Sequence, residues 1–384
     1  MKILYSHRTR SADGQYVHIR ALTEALAARG HALTICGPEE RDGAPKKLDA
    51  GAPGGGRGML PKPAYELAEF GYSAVGYRRL RAAAVREAPD ILYERYNLFY
   101  HAGVRLARTR GLPFILEVNA PLVAERMRHG GLALKKFAAW SEGAIWRAAD
   151  AVLPVTEALA RHVVAAGVDP EIITVIQNGV DEAFLSHISG DPIRTRFGLE
   201  GKTVLGFTGF VRDWHGVDRV LSFMAAAARP DLHLLLVGDG PALAGLENQA
   251  HALGLADRFT VTGVVQREDM PAFVSAFDVA LQPAAVEYAS PLKLFEYMAC
   301  ARAILAPDSD NIKEVLTGGE DCVLFNRLDD ADFERALTAL VADRALRDRL
   351  GAAARASLLR QRLTWAHNAE RVETIAQTLL ESRP

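Results

Sequence analysis

Residues 286–306 read VEYASPLKLFEYMACARAILA, and within them a proline, a lysine and a glutamate are spaced as a helix start that meets an anion. Ser290-Pro291 reads as a turn feeding a helix, since the fixed φ and missing N–H of proline cost nothing in a first turn. Backbone N–H groups around Ser290 and Leu292, on either side of Pro291, can then hold an anion such as diphosphate. Lys293 in the first turn adds a full positive charge. Glu296, three residues further along, lies on a neighbouring face of the helix. Its carboxylate can accept two hydrogen bonds from vicinal hydroxyls, the arrangement ribose offers. Diphosphate and ribose recognition together specify a nucleotide ligand.

Other stretches place polar residues and glycines at turns. HRTRSADGQYVHIRAL (7–22) carries Gly14 and His18, YERYN (93–97) carries Glu94 and Arg95, and LEVNAPL (116–122) carries Asn119. GFTGFVRDWHGVDRVL (206–221) holds Gly209, Arg212 and His215, followed by LLLVGDGP (234–241) and by VTGVV (261–265) with Val264. Each has a plainer reading by itself. Gly-Asp-Gly-Pro is an ordinary turn, Glu94-Arg95 a salt bridge, His18 or His215 a structural histidine, and Asn119-Ala120-Pro121 a simple bend.

The elements that must position these residues follow one grammar: a short apolar run, a turn, then a helical pattern. Strands are expected at 2–5, 32–37, 90–93, 113–118, 150–154 and 172–176, with helices at 16–29, 101–110 and 132–149. The pattern restarts with strands at 203–208, 232–237, 258–262, 278–282 and 302–306 and helices at 216–229, 241–253, 268–276 and 291–300. Such alternation implies α/β architecture with parallel sheets covered on both faces. We expect two doubly wound Rossmann-like domains, 1–187 and 188–360, facing across a cleft, with Gly179 and Gly190 as pivots of the linker. A terminal helix at 361–384 is expected to pack across both. Ligands of such sheets bind beyond the carboxyl ends of the strands. The Gly- and Pro-rich stretch 41–63 lacks the GK[ST] ending of a phosphate loop and reads as a mobile rim loop.

The helix at 291–300 resembles the donor-binding segment of glycosyltransferase family four, retaining enzymes with the GT-B fold, and the likeness extends over essentially the whole chain. It implies two Rossmann-like domains, an N-terminal one for the acceptor and a C-terminal one for a nucleoside diphosphate sugar. Glu296 fits the second of the family's two glutamates, which holds the ribose. The position eight before it is Tyr288 and Glu287 sits nine before, so the first glutamate is displaced by one residue or absent. VIQNGVD (175–181) resembles the interdomain segment. After the first strand of the donor domain the family places an Arg and a Lys on the phosphates; Phe210 and His215 stand there, with Arg212 beside them. The resemblance implies Lys293, Arg212, His215 and Asn119 as catalytic residues. It implies Gly14, Gly209, Val264, Glu287, Ser290, Pro291, Leu292 and Glu296 on the donor, and His18, Glu94 and Arg95 on the acceptor side. Asn119 stands where the family often has a sugar-contacting His. No protein nucleophile is required if the acceptor attacks from the leaving-group side.

Composition narrows the classes further. The chain has 384 residues and a formal net charge of −2, against bulk nucleic-acid binding. Its three cysteines, Cys36, Cys300 and Cys322, form no CxxC pair, against a disulfide scaffold or a cysteine zinc site. With no Asp-x-Asp metal motif in a suitable loop, no metal cofactor is expected; with no GxGxxG after a strand, an NAD dehydrogenase is disfavoured. No apolar run is long enough to span a membrane, and a cytoplasmic location is expected. Residues 1–150 hold 23 Lys and Arg against 15 Asp and Glu. Arg126, Arg128, Lys135, Lys136 and Trp140 therefore suggest peripheral contact with the inner face of a membrane, or simply a solvated face. The partners expected are a nucleotide-sugar donor and a glycan, lipid-linked or small-molecule acceptor. A nucleotide-sugar epimerase of similar fold and a non-catalytic sugar-nucleotide binder stand as alternatives.

Overall fold

The computed structural model describes residues 1–9, 14–38, 61–129, 131–227 and 229–382. The chain forms two compact units, each built on one parallel sheet.

The first unit carries strands β1 (Lys2–Ser6), β2 (Ala32–Cys36), β3 (Ile91–Arg95), β4 (Phe114–Val118) and β5 (Ala151–Pro154). Their order is β2-β1-β3-β4-β5, so the strand order reverses between β1 and β3. β3 (ILYER) and β4 (FILEV) are buried along their whole length. A strand covered on both faces normally reads as uninterrupted apolar sequence. Glu94, Arg95 and Glu117 break that rule, all toward the carboxyl ends. The register sets Arg95 beside Glu117 and Ser6 beside Glu94.

The second unit carries β6 (Thr203–Thr208), β7 (Leu232–Val237), β8 (Phe259–Val261), β9 (Val279–Leu281), β10 (Ala303–Pro307) and β11 (Val323–Phe325). Their order is β11-β10-β9-β6-β7-β8, with the reversal between β6 and β9. Apolar side chains fill both faces of this sheet. The loop after β6 and the helix Leu292–Ala299 that follows β9 are therefore neighbours at the switch point, where doubly wound sheets take ligands.

Several expectations change. Residues 172–176 form no strand: they run beside β5, with Thr174 N–H donating to Val152 O and Ile176 N–H to Pro154 O. β11 was not expected, because three residues show too little alternation to register. The first unit ends at Gln177, ten residues before the sequence boundary, and regains Tyr288–Ser290 and the helix Trp365–Glu381. Residues 361–364 stay with the second unit, where Val180 N–H donates to Leu363 O. Trp365–Glu381 thus belongs to the first unit and packs on the helix Gly14–Ala28. Gly190 is no free pivot: a Cβ there would fall 2.4 Å from the backbone nitrogen of Ala276. Of the stretch 41–63, residues 41–60 lie outside the described residues, and Lys62 and Pro63 open the 26-residue helix Lys62–Glu87.

Candidate active site

In the second unit, Lys293 and Glu296 are the two charged residues of the helix Leu292–Ala299. Pro291 caps this helix without a side-chain hydrogen bond, which leaves its first amides for another acceptor. Lys293 points back at β6, its Nζ 3.7 Å from the centroid of the Phe207 ring. Gly209, at φ +117°, follows β6 in a conformation that favours glycine, and a Cβ there would stand 3.7 Å from Lys293 Nζ. Gly238 backs this loop: a Cβ on it would lie 2.1 Å from Gly209 O. The Gly-Asp-Gly turn thus lets two loops touch.

Burial lowers the Lys293 ammonium to about 7, with Glu296 opposing the fall. Burial raises the Glu296 carboxyl, and the Arg267 charge pulls against that. Arg267 Nη1 lies 3.3 Å from Glu296 Oε1, and its Nε donates to Asp181 Oδ2 at 2.7 Å. Neither Arg267 nor Asp181 was singled out in the sequence. Their partners are 29 and 86 residues away, and no local pattern announces them.

His215 is held within its own loop. Its Nδ1 accepts the Arg212 N–H at 2.9 Å, and its ring packs against Phe207. Burial first, then Lys293 and Arg212, lower it to about 2, so the ring is neutral with Nε2 left to carry the proton. Arg212 is partly exposed, its guanidinium 5.3 Å from the Phe210 ring, and makes no ion pair among the described residues. Val264 is exposed just beyond β8. Glu287 is exposed and accepts from Arg327 Nη2 at 2.7 Å. Leu292 and Pro291 begin the helix as expected.

Tyr288, at the position of the family's first glutamate, groups with the first unit. Its hydroxyl donates to Glu125 Oε2 at 3.1 Å, and Ser290 Oγ donates to Gln177 Oε1 at 3.0 Å.

The polar centre of the first unit is Glu117. Its Oε2 meets His18 Nε2 at 3.0 Å and the Tyr93 hydroxyl at 2.8 Å. Its Oε1 accepts from Arg95 Nη1 at 2.6 Å and from Asn119 Nδ2. Burial alone would raise this carboxyl; the charges of His18 and Arg95 and the bonds they share with Asn119 hold it well below the usual carboxylate range. Trp365 closes over His18, ring centroids 4.8 Å apart. Asn119 is thereby oriented, and among the described residues its Oδ1 and one N–H have no side-chain partner. Glu94 is separate: Ser6 Oγ donates to its Oε2 at 2.9 Å, its Oε1 is buried without a hydrogen-bond partner among the described residues, and burial raises it to about 8. Glu94, Arg95 and His18 are all buried, so they orient neighbours rather than present side chains to solvent. Gly14 is exposed at the head of its helix. Among the described residues no group of three His, Cys, Asp or Glu side chains is placed to share a cation. Nor among them is any helix long and apolar enough to cross a membrane.

The Glycosyltransferase Family 4 model matches residues 12–184, and the Glycosyl transferases group 1 model matches residues 191–357. The chain belongs to glycosyltransferase family 4. Within that family it is 31% identical over 203 residues to 2-deoxystreptamine glucosyltransferase of Streptomyces kanamyceticus, a match covering 48% of this chain and 50% of that one. It is 26% identical over 160 residues to alpha-D-kanosaminyltransferase of the same organism, covering 41% of each. The chain thus spans half or less of the length of these relatives. Similar solved structures include sucrose-phosphate synthase from Thermosynechococcus elongatus, with TM-score 0.79 and 18% identity, covering 100% of both chains. Anabaena HepE in complex with UDP has TM-score 0.75 and 16% identity, covering 98% of this chain and all of that one. The fold of this family 4 chain is GT-B, two Rossmann-like α/β domains.

Proposed function

We propose that this chain transfers a glycosyl group from a nucleoside diphosphate sugar to an acceptor hydroxyl with retention of anomeric configuration. One observation carries the reading. Half-buried Lys293 and buried Glu296 stand one turn apart on a helix whose first amides are uncapped, against a glycine that leaves the lysine room.

In this reading the diphosphate lies at Lys293 and the helix start, and Glu296 accepts the ribose hydroxyls. Arg267 helps hold Glu296 ionised for that task. Val264 sits toward the base, and Arg212 reaches the phosphates from solvent. His215 contributes a neutral N–H rather than a charge. The first unit is assigned the acceptor, with Asn119, oriented by Glu117, as a polar contact. As the bond from the anomeric carbon to the phosphate oxygen breaks, negative charge grows on the leaving diphosphate. Preorganised donors aimed at that charge supply most of the rate. The acceptor oxygen bonds to the anomeric carbon from the same side and passes its proton to the departing phosphate. Lys293, Arg212 and the helix amides fill the place a metal would take, so turnover is expected to survive a chelator.

Calorimetric titration with nucleoside diphosphates, beginning with UDP, tests the ribose role. Glu296→Ala loses hydrogen bonds to a charged group, each worth roughly 1.5–3 kcal/mol. Affinity should fall about 100-fold while circular dichroism stays unchanged. Equal affinity in a folded variant removes Glu296 from the site.

A further inference from the structure

The helix Lys62–Glu87 spends all three of its carboxylates away from its outer face. Glu66 accepts the amides of Ala133 and Leu134 at 2.7 and 2.8 Å, Glu69 pairs with Arg126, and Glu87 pairs with Arg86. Arg78, Arg79 and Arg81 are exposed on this helix, and none makes an ion pair among the described residues. The helix Ala102–Arg110 packs beside it and adds exposed Arg105, Arg108 and Arg110, equally without carboxylate partners. Tyr77 joins the two sets: the Arg105 guanidinium lies 4.4 Å from its ring centroid, and its hydroxyl is 3.4 Å from Thr109 Oγ1. The Thr109 contact lowers the Tyr77 phenol, burial opposes it, and the charges of Arg105, Arg81 and Arg110 add smaller decreases.

Between these arginines runs an apolar stripe. Leu67, Val75 and Val85 are 53%, 41% and 61% exposed, three exposed aliphatic side chains on one helix. At 100° per residue, Leu67 and Val85 fall in line, Arg78 lies 20° from them, Ala74, Ala82 and Val75 lie within 80°, and Arg81 flanks the other side. An exposed aliphatic stripe edged by unpaired arginines is the pattern of a helix lying in a lipid interface. We propose that this face, with Arg105, Arg108 and Arg110 beside it, seats the protein on an anionic lipid surface.

Nucleic acid fits the arginines but not the stripe, since single strands want aromatic platforms and aliphatic side chains gain nothing from phosphates. The patch at Arg126, Arg128, Lys135, Lys136 and Trp140 fits less well. Arg126 is held by both oxygens of Glu69, and Trp140 is stacked on Phe137 and His101.

The test is co-sedimentation of the full chain with vesicles of phosphatidylcholine alone or with about a third phosphatidylglycerol. Binding is expected to the anionic vesicles only, and to weaken with salt. At roughly 1 kcal/mol per arginine, neutralising two in Arg78→Gln/Arg81→Gln should lower it about thirtyfold. Leu67→Ser/Val85→Ser should weaken it with all arginines present. All four positions are exposed, and unchanged thermal melts confirm folding. Absence of binding to anionic vesicles overturns the proposal. So does binding lost only in Lys135→Gln/Lys136→Gln, or binding to RNA that Leu67→Ser/Val85→Ser leaves untouched with no vesicle binding.

Discussion

Lys293 faces the ring of Phe207, Nζ 3.7 Å from its centroid, and not a carboxylate. Its charge is largely withdrawn from water, makes no ion pair among the described residues, and is therefore costly until an anion arrives. Its value of about 7 in the fold against 10.5 for the free side chain means that the unfolded chain holds more protons between these limits. Stability should rise with pH across that window, and the cost is fully present below it. Lys293→Met removes a penalty of the order of 4 kcal/mol at pH 7. Scanning calorimetry should show a higher Tm in the variant together with loss of transfer activity. A lower Tm means the lysine stabilises the fold.

The same residue links binding to protons. A diphosphate beside Lys293 restores its charge, so binding above pH 7 takes up close to one proton and affinity falls as pH rises. Titration calorimetry in buffers of different ionisation enthalpy reads the uptake directly. Equal uptake in wild type and Lys293→Met places the diphosphate elsewhere.

The lysine and glutamate were legible because proline, lysine and glutamate share one helix within six residues, where spacing alone fixes geometry. Strands β1, β6 and β7 were legible as apolar runs. Arg267 was hidden, as its partners Glu296, on the helix Leu292–Ala299, and Asp181 lie 29 and 86 residues away in the chain. The neutral state of His215 was not legible, because sequence shows a histidine and not its burial beside Lys293 and Arg212. The helix Lys62–Glu87 escaped notice because a Pro- and Gly-rich stretch precedes it and arginines interrupt its apolar periodicity.

Glu94 and Glu117, on neighbouring strands, should give pH dependences of opposite sign. Glu94, raised from 4.5 to about 8, holds its proton longer in the folded state, so stability falls as pH rises between those values. Denaturant melts of Glu94→Gln should lack that decline, worth about 4 kcal/mol by pH 8. Wild type and variant running parallel across pH 4.5–8 means Glu94 ionises freely.

Glu117 is depressed instead, so its contribution is present above the unfolded carboxyl value of 4.5 and is lost only as pH falls well below it. Glu117→Ala leaves Arg95 buried without its carboxylate and should cost roughly 3–5 kcal/mol in urea denaturation at pH 7. Asn119→Ala removes one donor to the same oxygen and should cost about 1 kcal/mol while lowering kcat more than it raises donor KM. A raised donor KM with normal kcat excludes Asn119 from the transition state.

Glycosyl transfer with retention is most directly tested by nuclear magnetic resonance of the reaction with an α-linked nucleoside diphosphate sugar and a panel of acceptor alcohols. The expected product is an α-glycoside formed in step with released nucleoside diphosphate, with the small anomeric coupling of the donor preserved in glucose-type sugars. A β-glycoside would contradict retention. Free nucleotide without any glycoside, or a donor bound and never consumed across the panel, would contradict transfer itself.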